Sequence, residues 1–248
     1  MSEDYIDHDE WQYSPPKLPT MSKITLDPIP GVLPFDGKHN PGFRSAVAHR
    51  VWLTYRTAAN DWQPKVGICE SAAEAAVAYE ALIAADTYDV RFQPLTVKFE
   101  FEGKKPDYTH DLLITRIDGH RTLVFVRNGF SLSKPNTWRE IEAIHDATPS
   151  GAANTMIVVS ADDYSRQRRE NLFRMHELIQ EKDEEADEIV LHTARNLKSL
   201  WLMQDLFPHI ALPQRHVFRA CYRLIARKKL TANMDHVISE ISRVGVAA

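Results

Sequence analysis

Residues 108–127 read YTHDLLITRIDGHRTLVFVR, and this stretch decides the fold. Asp111–Ile117 (DLLITRI) and Arg121–Arg127 (RTLVFVR) are apolar, β-rich runs on either side of Asp118-Gly119, a strong two-residue hairpin signal. The run before them, Arg91–Glu102 (RFQPLTVKFEFE), alternates after its proline and puts Val97, Phe99 and Phe101 on one side. The three runs predict an antiparallel meander.

Outward from the meander the period changes. Upstream, His49–Arg56 alternates as a strand, with Val51, Leu53 and Tyr55 on one side. Ser71-Ala-Ala-Glu74 precedes AAVAYEALIAA. Serine followed three residues later by glutamate, ahead of an alanine-rich run, is a capping-box start to a helix reaching about Asp86. Downstream, Thr137–Ala147 carries Trp138, Ile141 and Ile144 at helical spacing, and Thr155–Ser160 (TMIVVS) reads as a buried strand. A long helix from about Asp163 to Asp183 and a strand at Glu188–His192 follow. Helix, three strands, helix, strand, helix, strand make an α/β core with a mixed central β-sheet flanked by helices.

From residue 194 onward the sequence reads as helical: Ala194–Phe207, Gln214–Lys229 and Ala232–Val244. Residues 1–45 hold a run of prolines without sustained period and read as an extended arm, with Trp11, Tyr13 and Phe35 as candidate anchors on its own domain or on a partner. The expected division is therefore an arm (1–45), an α/β domain (46–193) and a small helical C-terminal module (194–248).

Composition narrows the function classes. A formal net charge of −4 excludes a wholesale polycation, so nucleic-acid contacts must come from local patches. Cys69 and Cys221 are the two cysteines, with no metal-spaced partners, which suits a reducing compartment. The acidic start (Glu3, Asp4, Asp7, Asp9, Glu10) is no signal peptide, and no run approaches a bilayer span, so a soluble cytoplasmic protein is expected.

Metal-dependent phosphodiester cleavage needs two or three carboxylates around divalent ions, usually with a lysine that positions the attacking water. One economical layout has a glutamate on a helix, an aspartate at a strand start, and an acid-x-lysine triplet on the next strand, whose alternate residues share a face. Glu74, Asp111 and Leu123–Arg127 occupy these places. With Ser71-x-x-Glu74, Gln93-Pro94-Leu95-Thr96 and Tyr108–Leu113 (YTHDLL), they resemble the N-terminal nuclease domain of the TnsA transposon endonucleases, over roughly residues 66–165.

The resemblance implies a restriction-endonuclease-like (PD-(D/E)xK) fold, Mg²⁺ or Mn²⁺ if the site cleaves, DNA and a transposase or other mobile-element protein as partners, and a winged-helix-like C-terminal module. It carries the family's metal-binding acids onto Glu74 and Asp111. It stops at Phe125, which stands where the third metal-side group belongs, and at Arg127, in the lysine's place. Phenylalanine ligates no metal, and arginine is effectively never deprotonated. A displaced acid on the following helix, Glu140 or Glu142, is the candidate replacement, with Glu140 taken as the third metal ligand. Arg127 is the candidate catalytic or phosphate-binding cation.

Each of these residues also has a plainer reading. Glu74 is the acidic partner of a capping box. Glu70 reads as a solvated pre-helix residue, Asp107 as a turn residue, and His110 and His120 as surface histidines. On the C-terminal helix, Arg215, Arg219, Arg223 and Arg227 recur every four residues and lead into Lys228 and Lys229. Like charges so spaced repel unless phosphates or acids neutralise them, so these six are candidate DNA contacts, and the alternative is a solvated basic face paired with acids such as Glu181, Asp183, Glu184 and Glu185. Two functions follow as expectations: a DNA-binding protein on a nuclease fold with cleavage lost or altered, or a non-enzymatic protein–protein scaffold on the same fold.

Overall fold

A computed structural model describes residues 28–40 and 50–247. Most of the proline-rich arm, including Trp11 and Tyr13, lies outside these residues. Phe35 lies within them and packs on the main core.

The chain enters with β1 (Val51–Tyr55) and β2 (Lys65–Cys69), an antiparallel pair. Helix α1 (Ala72–Ile83) then leads to β3 (Thr87–Phe92). The short β4 (Thr96–Lys98) and β5 (Asp107–Thr109) pair with each other, and β6 (Leu112–Arg116) and β7 (Arg121–Arg127) complete the meander. After α2 (Gly129–Leu132) and α3 (Pro135–Ala147), β8 (Thr155–Ser160) returns parallel to β7. The central sheet runs β3-β6-β7-β8, antiparallel except at its last pair. A parallel return needs a crossover, which α3 supplies.

The two faces of β7 serve different cores. Val124 and Val126 join Leu112 and Ile114 in the larger core with α1 and with α4 (Arg166–Gln180). Phe125, on the opposite face, packs with Val97, Phe99, Ile141 and Ile144. This alternation is the period-2 geometry of a strand buried on both faces.

The sequence and the structure part at several places. Arg91–Glu102 is not one strand: Gln93 takes a positive φ of 50° before Pro94 and ends β3, so only Thr96–Lys98 resumes as β4. Glu188–His192 is no strand but part of α5 (Glu184–Asn196), capped by Asp183, whose side chain accepts from the Ala186 N–H. A short apolar run looks alike in either element, and the cap with three acids in the first turn favours the helix. That helix runs through residue 194, where the sequence suggests a boundary.

Beyond α5, the expected helix 194–207 is a loop followed by a 3-10 turn, Met203–His209, and α6 ends at Ala226 (Gln214–Ala226). The expected helix 232–244 is absent. In its place β9 (Leu230–Ala232) and β10 (Val244–Val246) pair antiparallel around an intervening loop. Trp201 and Leu202 lie along the other side of β10: the Val244 N–H donates to Trp201 C=O, and Leu202 bridges Arg243. Asn171 on α4 anchors this loop by accepting from the Ile238 N–H at 2.9 Å and donating to His236 C=O at 2.7 Å.

Candidate functional site

The candidate residues gather where β6 begins and β7 ends. Those ends coincide because β6 and β7 are antiparallel, and the start of α1 lies against them. Ser71 caps α1: its Oγ accepts from the Glu74 N–H at 3.1 Å and donates to Glu74 Oε1 at 3.2 Å. The Glu70 N–H donates to the other carboxylate oxygen at 2.8 Å. The plainer reading of Glu74 is thus fulfilled, yet Glu74 is also buried and interacts electrostatically with Asp111. Burial foremost, and then Asp111, pushes its pKa up to about 8.

Asp111 sits at the mouth of β6. Its Oδ2 accepts from the Val126 N–H at 2.7 Å and from the Tyr108 hydroxyl at 3.5 Å. Burial pushes its pKa up to about 6, against the pull of the Val126 N–H, Arg127 and Tyr108. Beneath the pair lies Cys69, whose thiol is held well above its ordinary value by burial and by both carboxylates.

Phe125 and Arg127 share a face of β7, as the acid-x-lysine spacing requires. Phe125 is fully buried and stacked on Tyr108, with ring centroids 4.9 Å apart. The Arg127 guanidinium lies 4.2 Å from the Phe125 ring centroid and 5.4 Å from that of Tyr108. The position that the resemblance assigns to a third metal ligand is therefore filled by a hydrocarbon, and a cation rests on it.

Glu140 is half-exposed on α3, whose buried side chains Ile141 and Ile144 face Phe125, and Glu142 is exposed. Among the described residues, no three His, Cys, Asp or Glu side chains assemble into a group able to hold a metal. The two carboxylates present already accept protein hydrogen bonds. Two such ligands beside Phe125 do not fit a divalent ion of the usual nuclease kind. What the cluster offers is a fixed, always-charged guanidinium beside carboxyl groups shifted toward their protonated forms, which suits holding an anion better than activating water.

His110 is not a surface residue. It is fully buried, its Nε2 lies 3.0 Å from Thr148 Oγ1, and burial lowers its pKa to about 4. Because the Thr148 hydroxyl donates to Ile144 C=O, His110 Nε2 is the donor in that pair. His120 is exposed, beside Thr155. Tyr108 and Cys69 carry the site alongside the expected residues. Tyr108 stood in the quoted motif, whereas nothing local marked Cys69.

The arginine stripe of α6 is divided. Arg219 pairs with Glu181, and the buried Arg223 donates to Asp187 Oδ1 at 2.8 Å, with Asp183 at 4.0 Å. Arg227 reaches the other oxygen of Asp187 at 2.5 Å. Acids thus neutralise three of the six candidate DNA contacts, so their spacing no longer calls for phosphates. Arg215, Lys228 and Lys229 are exposed. No protein-family model matches the chain, and none of the curated proteins matches it.

Proposed function

We propose that this protein binds DNA through a core of the TnsA-like, restriction-endonuclease-like kind, and that the site holds the phosphate backbone without cutting it. The observation that carries the reading is the Asp111–Phe125–Arg127 cluster at the sheet end, with Glu74 against it. The order α1, the central-sheet strands β3, β6 and β7, α3 and β8, with two buried carboxylates at the sheet end, supports a site laid out like one that cleaves phosphodiesters. Phe125 removes the third ligand, and Arg127 keeps the cation. A guanidinium suits bidentate phosphate recognition and cannot serve as a base.

The C-terminal elements support the same reading. Helix, edge segment, helical turn, helix and antiparallel hairpin is the succession of a winged-helix-like module, with residues 233–243 as the wing. Arg215 at the open start of α6, with Lys228 and Lys229 after its end, are among its exposed cations. A transposase or another mobile-element protein is the proposed partner.

DNA affinity measured against salt tests this. Wild type is expected to bind with a steep salt dependence, and Arg127→Ala to flatten the log–log slope by about one. No plasmid cleavage is expected with Mg²⁺ or Mn²⁺. Cleavage abolished by Asp111→Ala would overturn the non-cutting half. Absence of DNA affinity even at low salt would leave the protein–protein scaffold, a reading favoured by the internal pairing of Arg219, Arg223 and Arg227.

A further inference from the structure

Two aromatic side chains stand exposed just beyond the site, and the core does not use them. Phe130 is 73% exposed and Trp138 45%. The spacing of Trp138 with Ile141 and Ile144 predicts a core residue, yet only the two isoleucines are buried. The indole N–H donates to Leu132 C=O at 2.8 Å, and Leu132 packs into the core around Phe125. Trp138 is thus pinned by one edge while much of its ring meets solvent.

Both side chains are placed by the chain that leaves Arg127. Asn128 caps α2 by accepting from the Ser131 N–H at 2.7 Å. Gly129 lies so close to Asp162 that a Cβ there would meet the carboxylate. This ties the start of α2, two residues after the end of β7, to the turn that follows β8. Cations accompany the rings: Lys134 Nζ lies 4.2 Å over the Phe130 ring, and Arg139 is exposed on the first turns of α3.

We propose that Phe130 and Trp138 form a stacking platform for an unpaired base, so that the preferred ligand of the site is a junction of duplex and single-stranded DNA. The proposal rests on the DNA-binding reading above and specifies its substrate class. Every base offers a π-face, so exposed rings among cations bind single strands without regard to sequence. Arg127 would hold the backbone at the junction, with Lys134 and Arg139 along the departing strand.

The test compares a blunt duplex with the same duplex bearing a single-stranded tail, by fluorescence anisotropy, with 2-aminopurine at the first unpaired position. Wild type is expected to bind the tailed DNA at least about tenfold more tightly, the lower part of what one stacked base supplies. Phe130→Ala, at an exposed position that spares the fold, and Trp138→Ala should each erode that preference and the 2-aminopurine signal, while blunt-duplex binding persists. Trp138→Phe should keep most of it. Equal affinity for the two DNAs in wild type, or a preference that survives the double alanine variant, would overturn the platform and leave DNA binding standing. No affinity for either DNA would overturn both.

Discussion

The carboxylate of Asp111 accepts the backbone N–H of Val126 across the β6–β7 junction, at 2.7 Å and between buried residues. Asp111 is therefore a strand-to-strand fastener, whatever else it does. Asp111→Ala is expected to strand a buried N–H and lower stability by about 1–3 kcal/mol. Asp111→Asn, which keeps an acceptor, should cost less. Urea unfolding of both variants measures the difference, and equal midpoints for Asp111→Ala and wild type would refute the fastening role.

Glu74 and Asp111 both hold their protons to higher pH than an ordinary carboxyl, chiefly through burial. Between the ordinary carboxylate range and about pH 8, the folded protein therefore binds more protons than the unfolded chain. Stability should fall as pH rises through that window, by an amount on the order of 2–4 kcal/mol. Glu74→Gln should flatten the decline. Thermal melts from about pH 5 to about pH 9 would read the slope directly, and a stability that rises over this interval would contradict the buried pair.

Phe125 is a core residue. Phe125→Ala should lower stability by about 3–5 kcal/mol, because it opens a cavity against Ile141 and Ile144 and removes the ring beneath Tyr108. Arg127→Met, which removes the charge and keeps much of the stem, should cost under about 1.5 kcal/mol. Chemical denaturation of the two variants separates a packing residue from a surface cation.

The arginines of α6 should behave unequally. Arg223→Ala leaves Asp187 buried with one guanidinium fewer and should cost about 3–5 kcal/mol. Arg219→Ala breaks a partly exposed pair and should cost under about 1 kcal/mol. Arg215→Glu should leave stability unchanged and weaken DNA binding. Equal losses of stability at all three positions would show that pairing with Glu181 and Asp187 does not set the order.

The cap of α1 and the hairpin at Asp118-Gly119, where Gly119 takes a φ of +84°, were legible because their geometry is written within a few residues. So were β8 and the inward face of α3 at Ile141 and Ile144. The C-terminal hairpin was not. Residues 232–244 carry apolar residues at spacings a helix can use, and they form a loop and strand because Trp201, Leu202 and Asn171, distant in sequence, take up their backbone groups. The fate of the arginine stripe was legible in part: Glu181 and Asp183, acids the charge pattern offers as partners, lie against Arg219 and Arg223, whereas Asp187, which holds Arg223 and Arg227, carries no local mark.

The same division runs through the site. The sequence alone determined that Glu74, Asp111, Phe125 and Arg127 occupy a helix start, a strand start and one face of a neighbouring strand, because capping and strand alternation are local. Only the tertiary structure decided that both carboxylates are buried and hydrogen-bonded, that Phe125 belongs to a core under Tyr108, and that Arg127 lies across it. Burial, electrostatic coupling and ring stacking depend on which elements pack together, and no short window of sequence contains that.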